Sequence, residues 1–452
     1  MFIARDKELK LLSDNLNDIS TVTIIYGKRR VGKTTLIKEA LKKSNKINIY
    51  YECVKASLEH NLGLFTNTLV EYNVINEGIS FKNFDSLFAY LNSQNNEYNI
   101  IFDEYPYLKF SENSQYVDSI FQRIIDNRIS NINIVLSGSH IGMMLDLTKH
   151  DNSLYGRFTS QIALQDLDYV DASLFYQNKS IYEKVAFYSV FGGSPFVLGK
   201  LNNGLSLKEN IIKLLLDKES IIYSYISSLL TSDISFFEQA KKIFSTIGNS
   251  RIKYNDLQSK LNMEPNGLLS KQLKTLIDMK FIRKNYPINK LTDDKKATYE
   301  LNDNLLRFYY TYLYKNNSIL EILDREIFYD KYIEKSLNTF ISFRFEDIVK
   351  MYFKLKKDPK ISNIGTYYYD DPKNKQNGEF DVVLEQDNGF VICEVKYFKE
   401  KLSNAIIYNE VEKIKKITEL KVTGICFVSC NGFDEENELY ITGDEIYNVK
   451  EK

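Results

Sequence analysis

Apolar residues in the first third of the chain come in short runs, VTIIY (22–26), INIYY (47–51), NIIF (99–102) and INIVL (132–136). Between them lie stretches such as TLIKEALKK (35–43), whose apolar positions recur at helical spacing. Runs this short and this apolar read as strands buried on both faces. Their alternation with helices predicts a parallel sheet covered by helices, an α/β domain. From about residue 160 to 230 helical periodicity takes over, interrupted by Gly192, Gly193 and Pro195, which predicts a helical lid. Residues 236 to 300 then run helix (FFEQAKKIFSTI), a break at Gly248, helix (YNDLQSKL), a turn with Pro265 and Gly267, helix (LLSKQLKTLIDM) and an extended stretch FIRKNYPI. That order predicts a winged helix-turn-helix. Beyond the aromatic helical stretch LLRFYYTYLY the pattern gives a helix near Phe345, a hairpin across residues 379 to 397 and further alternation of helix and strand.

Length divides this pattern into domains, because 452 residues exceed what one hydrophobic core usually holds. A composition of 44% apolar and 26% charged residues is that of a folded protein throughout. The opening MFIARDKELK has charges where a secretory signal needs an apolar core, and no apolar run approaches the roughly 18 residues that cross a bilayer. A cytoplasmic protein without a membrane partner is expected. Four scattered cysteines with three histidines suggest free thiols. The net charge of −1 requires any nucleic-acid surface to be a local patch. One exists: residues 236 to 300 hold 13 Lys or Arg against 7 Asp or Glu. Lys271, Lys274, Lys280, Arg283 and Lys284 fall on or after the recognition-helix position, and Lys290, Lys295 and Lys296 fall in the wing. Such a patch can neutralise DNA phosphates.

The chemistry begins at residue 27. GKRRVGKTT (Gly27, Lys28, Arg29, Arg30, Val31, Gly32, Lys33, Thr34, Thr35) has the Walker A form GxxxxGK[ST] between a predicted strand and a predicted helix. Small glycines let backbone N–H groups turn inward around the phosphates of ATP at a helix N-terminus. In this pattern Lys33 reaches the β- and γ-phosphates and Thr34 holds Mg²⁺. NIIFDEY (99–105) is an apolar strand ending in two carboxylates. Asp103 suits a water-mediated magnesium ligand, and Glu104 the polarisation of the attacking water.

A second carboxylate cluster lies in GEFDVVLEQDNGFVICEVKYF (378–398). A two-residue turn at Asn388-Gly389 pairs position i with 777 − i, setting Asp381 opposite Lys396 and Val383 opposite Glu394. Asp381, Glu394 and Lys396 then share one face, an arrangement able to bind Mg²⁺ and activate hydroxide at a phosphodiester.

Two resemblances follow from these residues. FIARDKELKLL, GKRRVGKTT and DEYPYL (103–108) resemble the archaeal-type ATPase family of the STAND branch of AAA-like P-loop ATPases, over about residues 1 to 230. This resemblance implies a sensor on the strand bearing SGS (Ser137 to Ser139), a γ-phosphate arginine in LYGR (Arg157), acting within one chain or between subunits of an oligomer, and a lid motif in GGSP (192–195). The D…ExK spacing resembles the PD-(D/E)xK nuclease fold, in the domain of unknown function that often accompanies this ATPase family, and implies a helical metal-binding acid, Glu346 in SFRFEDIVKMY. The expected architecture is a P-loop ATPase core (1–165), a helical lid (166–234), a winged helix-turn-helix (235–315) and a restriction-endonuclease-like α/β domain (316–452). Two functions fit: an ATPase whose nucleotide state controls a nuclease acting on nucleic acid, or the same ATP-driven switch with only a binding output to DNA or protein.

Overall fold

The apolar runs of the first third form strands β1 (Val22–Tyr26), β2 (Ile47–Glu52), β3 (Tyr98–Asp103) and β4 (Ile132–Gly138), joined by a fifth, β5 (Ser160–Ala163). They pair in parallel in the order β2-β3-β4-β1-β5. Side chains alternate between two layers. Val22, Ile24, Ile100, Phe102, Ile134 and Leu136 enter one core with residues of helices α3 (Leu58–Glu71), α4 (Phe84–Ser93) and α5 (Val117–Asn127). Ile25, Ile101 and Val135 enter the other, with Leu9, Leu12 and Leu16 of α1 (Asp6–Asn17) and Leu36, Ile37 and Ala40 of α2 (Lys33–Leu41). Burial on both faces is why these strands read as continuous apolar runs. In β5 only Ile162 is buried, so this edge strand left no such run.

The computed structural model describes residues 3–110, 116–127, 131–231, 236–371, 376–417 and 420–450. Its backbone divides into two compact units, Met1–Asp166 and Leu167–Lys452. The boundary drawn from sequence between residues 234 and 235 lies outside the described residues.

The second unit begins with helices, among them Ile181–Phe191, whose start is a reciprocal cap between Ser180 and Glu183. Helices Phe237–Ile247, Tyr254–Lys260 and Leu268–Asp278 follow, with a three-stranded antiparallel sheet in the order β6-β8-β7 (β6 Ile252–Lys253, β7 Ile282–Asn285, β8 Thr298–Leu301). The long helix Lys335–Lys356 leads into a mixed sheet of order β13-β12-β11-β10-β9, comprising β9 (Asn363–Asp371), β10 (Gln376–Gln386), β11 (Gly389–Lys396), β12 (Val422–Ser429) and β13 (Tyr440–Thr442). Val383 and Ile392, partners across β10 and β11, pack with Ile414 of helix Asn404–Lys415. Tyr397, of opposite parity to Ile392, meets Phe345 of the Lys335–Lys356 helix.

The hairpin register differs from the sequence expectation. Gln386 pairs with Gly389 and Val383 with Ile392, so position i pairs with 775 − i and the turn residues are Asp387 and Asn388. Gly389 lies in the strand because of a close approach: a Cβ there would sit 2.6 Å from the Lys421 carbonyl oxygen. All four cysteines are free and buried. No helix among the described residues is long and apolar enough to cross a membrane.

Candidate functional site

Because β1, β3 and β4 are parallel, their carboxyl ends lie at one edge of the sheet, the usual place for a ligand in such folds. The loop from Gly27 to Gly32 leaves β1 there and enters α2 at Lys33. Two glycines shape it. A Cβ at Gly27 would lie 2.3 Å from the Leu164 carbonyl oxygen, and Gly32 holds φ +102° immediately before the helix. Val31 is buried in the core beside α2. The Arg5 guanidinium donates to the Val31 and Gln165 carbonyls, which ties the loop to α1. Lys28 pairs with Asp166 at 3.4 Å, and Arg29 donates to the Tyr107 hydroxyl at 3.1 Å. Arg30 adopts φ +62° at the exposed crest of the loop.

Lys33 is 6% exposed, and its ammonium donates to the Gly27 and Lys28 carbonyls at 2.9 and 3.1 Å. The loop is thus closed around a single positive charge. Thr34, on the first turn of α2, donates from Oγ1 to Asp103 Oδ2 at 2.9 Å, while Thr35 is exposed one position further on. Asp103 ends β3 at 3% exposure and also accepts the Tyr50 hydroxyl. Burial, followed by the charge of Asp103, raises the Tyr50 hydroxyl above its ordinary pKa, so it remains a donor. Glu104 turns out of the strand at φ +53°. Its Oε2 accepts from the Ser139 N–H (3.0 Å) and Oγ (2.8 Å). The structure therefore brings Lys33 and Thr34, at the start of α2, together with Asp103, Glu104 and Ser139 at the ends of the adjacent strands β3 and β4. A hydroxyl and a carboxylate in contact are hard oxygen donors of the kind that suit Mg²⁺.

Arg157 stands apart from this group. Its guanidinium forks onto Asp126 at 2.8 and 2.9 Å and donates to the Ser153 and Tyr155 carbonyls. Its engagement is with the end of α5 and its own turn.

The C-terminal cluster does not converge as the sequence suggested. Register shifts between Phe380 and Val383, where Asp381 and Val382 together oppose one residue of β9. This β-bulge inverts the alternation at Asp381. Asp381 reaches Arg251 at 2.6 Å, and the same guanidinium meets Glu346 of the long helix at 3.3 Å and Glu379 at 3.6 Å. Glu394 pairs in register with Phe427, which packs with Ile407, and so faces helix Asn404–Lys415. Lys396 bonds Glu394 at 3.2 Å and Glu410 of that helix at 3.4 Å. Asp381 and Glu346 thus lie on one side of the sheet and Glu394 with Lys396 on the other. Among the described residues no three His, Cys, Asp or Glu gather closely enough to hold a metal ion. The shared metal site expected of Asp381, Glu394 and Glu346 is corrected to two separate ion-pair groups.

Arg283 departs from expectation too. It bonds Glu300 at 2.7 Å and Asp347 at 2.6 Å and belongs to a buried network, not to an outward basic face. Lys284 pairs with Asp294 and Lys296 lies over the Tyr368 ring, whereas Lys271, Lys274, Lys280, Lys290 and Lys295 are exposed. A cavity of about 590 Å³, lined by Lys253, Tyr254, Lys274, Lys284, Lys295 and Tyr299 among others, opens beside them. The network residues Arg251, Glu300, Arg307, Arg344 and Asp347 escaped the sequence reading, although Arg307 in LLRFYY and Arg344 in ISFRFEDIV are charges embedded in apolar helical pattern.

One consequence concerns pH. Burial, followed by the charge of Asp381, pushes Glu346 up to about 8 against the help of Arg251. Since the folded value exceeds the unfolded one, Glu346 favours folding at low pH, and its contribution is lost as pH rises from 4.5 through about 8. Asp347, held down by Arg283 and Arg344 despite its burial, acts with the opposite sign and only at more acid pH. Glu346→Gln is expected to flatten the fall of melting temperature across this window and to be at least as stable as the parent at its alkaline end. A melting series over pH checks this; parallel curves for the two proteins would refute it.

Comparison with known proteins agrees with the first unit's fold. Residues 2–201 match the family described as an ATPase domain predominantly from Archaea. Residues 309–414 match a family of archaeal and bacterial proteins of unknown function. An uncharacterized protein of Methanocaldococcus jannaschii is 27% identical over 400 residues, which span 86% of this chain and 85% of that one. Among solved structures, a Walker-type ATPase of Pyrococcus abyssi superposes with a TM-score of 0.51 at 18% identity, covering 71% of this chain and 96% of that one. The ORC2 protein of Aeropyrum pernix, in ADPNP and ADP complexes, gives 0.44 at 14% identity, over 70% and 94% of the two chains.

Proposed function

We propose, for a chain that carries an ATPase domain of the predominantly archaeal family over residues 2–201, that it is an ATP-hydrolysing switch whose nucleotide state governs a nucleic-acid-binding second unit. The observation that carries the reading is the contact of Thr34 with Asp103 at 2.9 Å, beside a glycine loop closed on Lys33 and a second carboxylate, Glu104, at the end of the same strand. Backbone N–H groups of residues 27 to 35 bind the triphosphate, and Lys33 exchanges its carbonyl partners for phosphate oxygens. Thr34, and Asp103 through water, would hold Mg²⁺, which would supply charge neutralisation at the phosphates. Glu104 takes a proton from the attacking water, and Ser139 fixes its carboxylate. Arg157 belongs to the same scheme only after leaving Asp126.

For the second unit, three helices followed by a β-hairpin support a winged-helix reading of residues 235 to 315. Its exposed Lys271, Lys274, Lys280, Lys290 and Lys295 suit a phosphate backbone. Binding is favoured over cleavage as the output, because Arg251 holds Asp381 and Glu346 while Glu394 and Lys396 face the other side.

Supercoiled plasmid incubated with the protein and Mg²⁺, with and without ATP, tests this output. Retardation without nicking is expected, changed by ATP and weakening steeply between about 50 and 200 mM salt. The double variant Lys271→Glu, Lys274→Glu should bind roughly tenfold more weakly, with a shallower salt slope. Nicks that vanish in Lys396→Ala would restore a nuclease reading, and salt-independent binding would remove the basic patch from it.

A further inference from the structure

An ionised carboxylate offers about four lone-pair directions, and three of those on Asp103 are already taken by protein donors. Oδ2 accepts Thr34 Oγ1 at 2.9 Å and the Tyr50 hydroxyl, while Oδ1 accepts the Glu104 N–H at 3.1 Å. Thr34 and the backbone of Glu104 come with the motifs themselves. Tyr50 does not. It lies on β2, whose register sets it beside Ile101 of β3, and its ring packs in the layer that holds Leu36 and Ile37 of α2. The Lys38 ammonium sits 5.3 Å from the ring centroid, so the ring is held by helix α2 on one side and the sheet on the other. A tyrosine braced in this way delivers its hydroxyl to one place only.

We propose that Tyr50 is a positioning residue of the metal site: it locks the Asp103 carboxylate so that its remaining lone pair, on Oδ1, would be held ready for the magnesium site. The proposal rests on the reading of residues 27 to 35 as an ATP site. Its physical content is orientational. Without Tyr50 the carboxylate keeps its charge and its Thr34 contact but gains rotational freedom, so metal affinity drops while the triphosphate cradle is untouched. Partners that orient metal ligands are typically worth about 10- to 100-fold in metal affinity.

The test is Tyr50→Phe, which preserves the ring, its packing and the Lys38 contact. Calorimetric titration of Mn²⁺ into the intact protein saturated with ADP should show affinity lowered about tenfold, while ADP titrated in the presence of EDTA binds both proteins equally. The Mg²⁺ concentration for half-maximal ATP turnover should rise by a similar factor, with the maximal rate recovered at high Mg²⁺. Unchanged Mn²⁺ affinity in Tyr50→Phe overturns the proposal, as does an equal loss of ADP affinity in EDTA, which would make Tyr50 a general support of the loop. Failure of the parent protein to bind ADP under either condition overturns the ATP-site reading itself, a result distinguishable from both.

Discussion

ATP turnover should fall by about 10²- to 10⁴-fold in Glu104→Gln while the nucleotide remains bound, and in Lys33→Ala binding itself should weaken by about 100-fold or more. The two variants separate because the residues act at different stages. Lys33 carries its ammonium inside the loop, held by the Gly27 and Lys28 carbonyls, and in the proposed complex it bonds two phosphates. Each hydrogen bond to a charged group contributes about 1.5–3 kcal/mol, so losing both lowers affinity on the order of 100-fold or more. Glu104 touches no loop residue in the described contacts; its carboxylate rests on Ser139. Replacing it by an amide keeps the size and the ability to accept from Ser139 but removes the base. Calorimetry with ATP and Mg²⁺, paired with phosphate release, resolves both effects. Normal turnover in Glu104→Gln would assign water activation elsewhere, and undiminished ATP affinity in Lys33→Ala would remove the loop from nucleotide binding.

How far these sites could be read before folding depended on whether their geometry is local. The loop from Gly27 to Thr35 is contiguous, and the same residues that give the motif its sequence form create its shape, including the φ of Gly32. Asp103 and Glu104 were legible because an apolar strand ends in two acids, and a parallel sheet gathers strand ends. Tyr50 was illegible, since INIYY reads only as a buried strand and nothing local says which tyrosine reaches a carboxylate on its neighbour. The hairpin at residues 376 to 396 shows another limit. Asn388-Gly389 is a favourable turn dipeptide, but Gly389 is required by the close pass of Lys421, a long-range fact. The two-residue slip in register preserves side-chain parity on its own. What separated Asp381 from Glu394 was the bulge at Asp381 and Val382, whose partner strand is β9 and which leaves no mark in the alternation of GEFDVVLEQ. Charge density likewise misled at Arg283: a cationic count for residues 236 to 300 cannot tell an outward arginine from one whose carboxylate partner, Asp347, lies 64 positions away.

That buried network bears the largest expected effect on stability. Glu300, 1% exposed, lies 2.7 Å from Arg283, 3.2 Å from Arg307, 3.7 Å from Arg251 and 3.9 Å from Arg344. Arg307 and Arg344 are themselves almost fully buried, and Asp347 is the other carboxylate that reaches both. Neutralising Glu300 strips Arg307 of its nearer counter-charge and leaves Asp347 as the carboxylate shared by the buried guanidinium groups, a loss of about 3–5 kcal/mol. Glu300→Gln should therefore lower the melting temperature by roughly 6 to 20 °C, at about 2–4 °C per kcal/mol for a unit of this size. Added salt should restore little of it, because buried pairs are weakly screened. The double variant Glu300→Gln, Arg307→Met removes one charge of each sign and should recover part of the loss, as replacement of a buried pair by apolar volume often does. Circular-dichroism melting of the three proteins decides the matter: equal melting temperatures for parent and Glu300→Gln would mean that the four arginines do not depend on this carboxylate. The network joins β8 and the segment before β6 to the Lys335–Lys356 helix. The same loss should therefore loosen the three-stranded sheet from the C-terminal sheet, and amide exchange in residues 282–285 and 298–301 should rise ahead of that in β11 and β12.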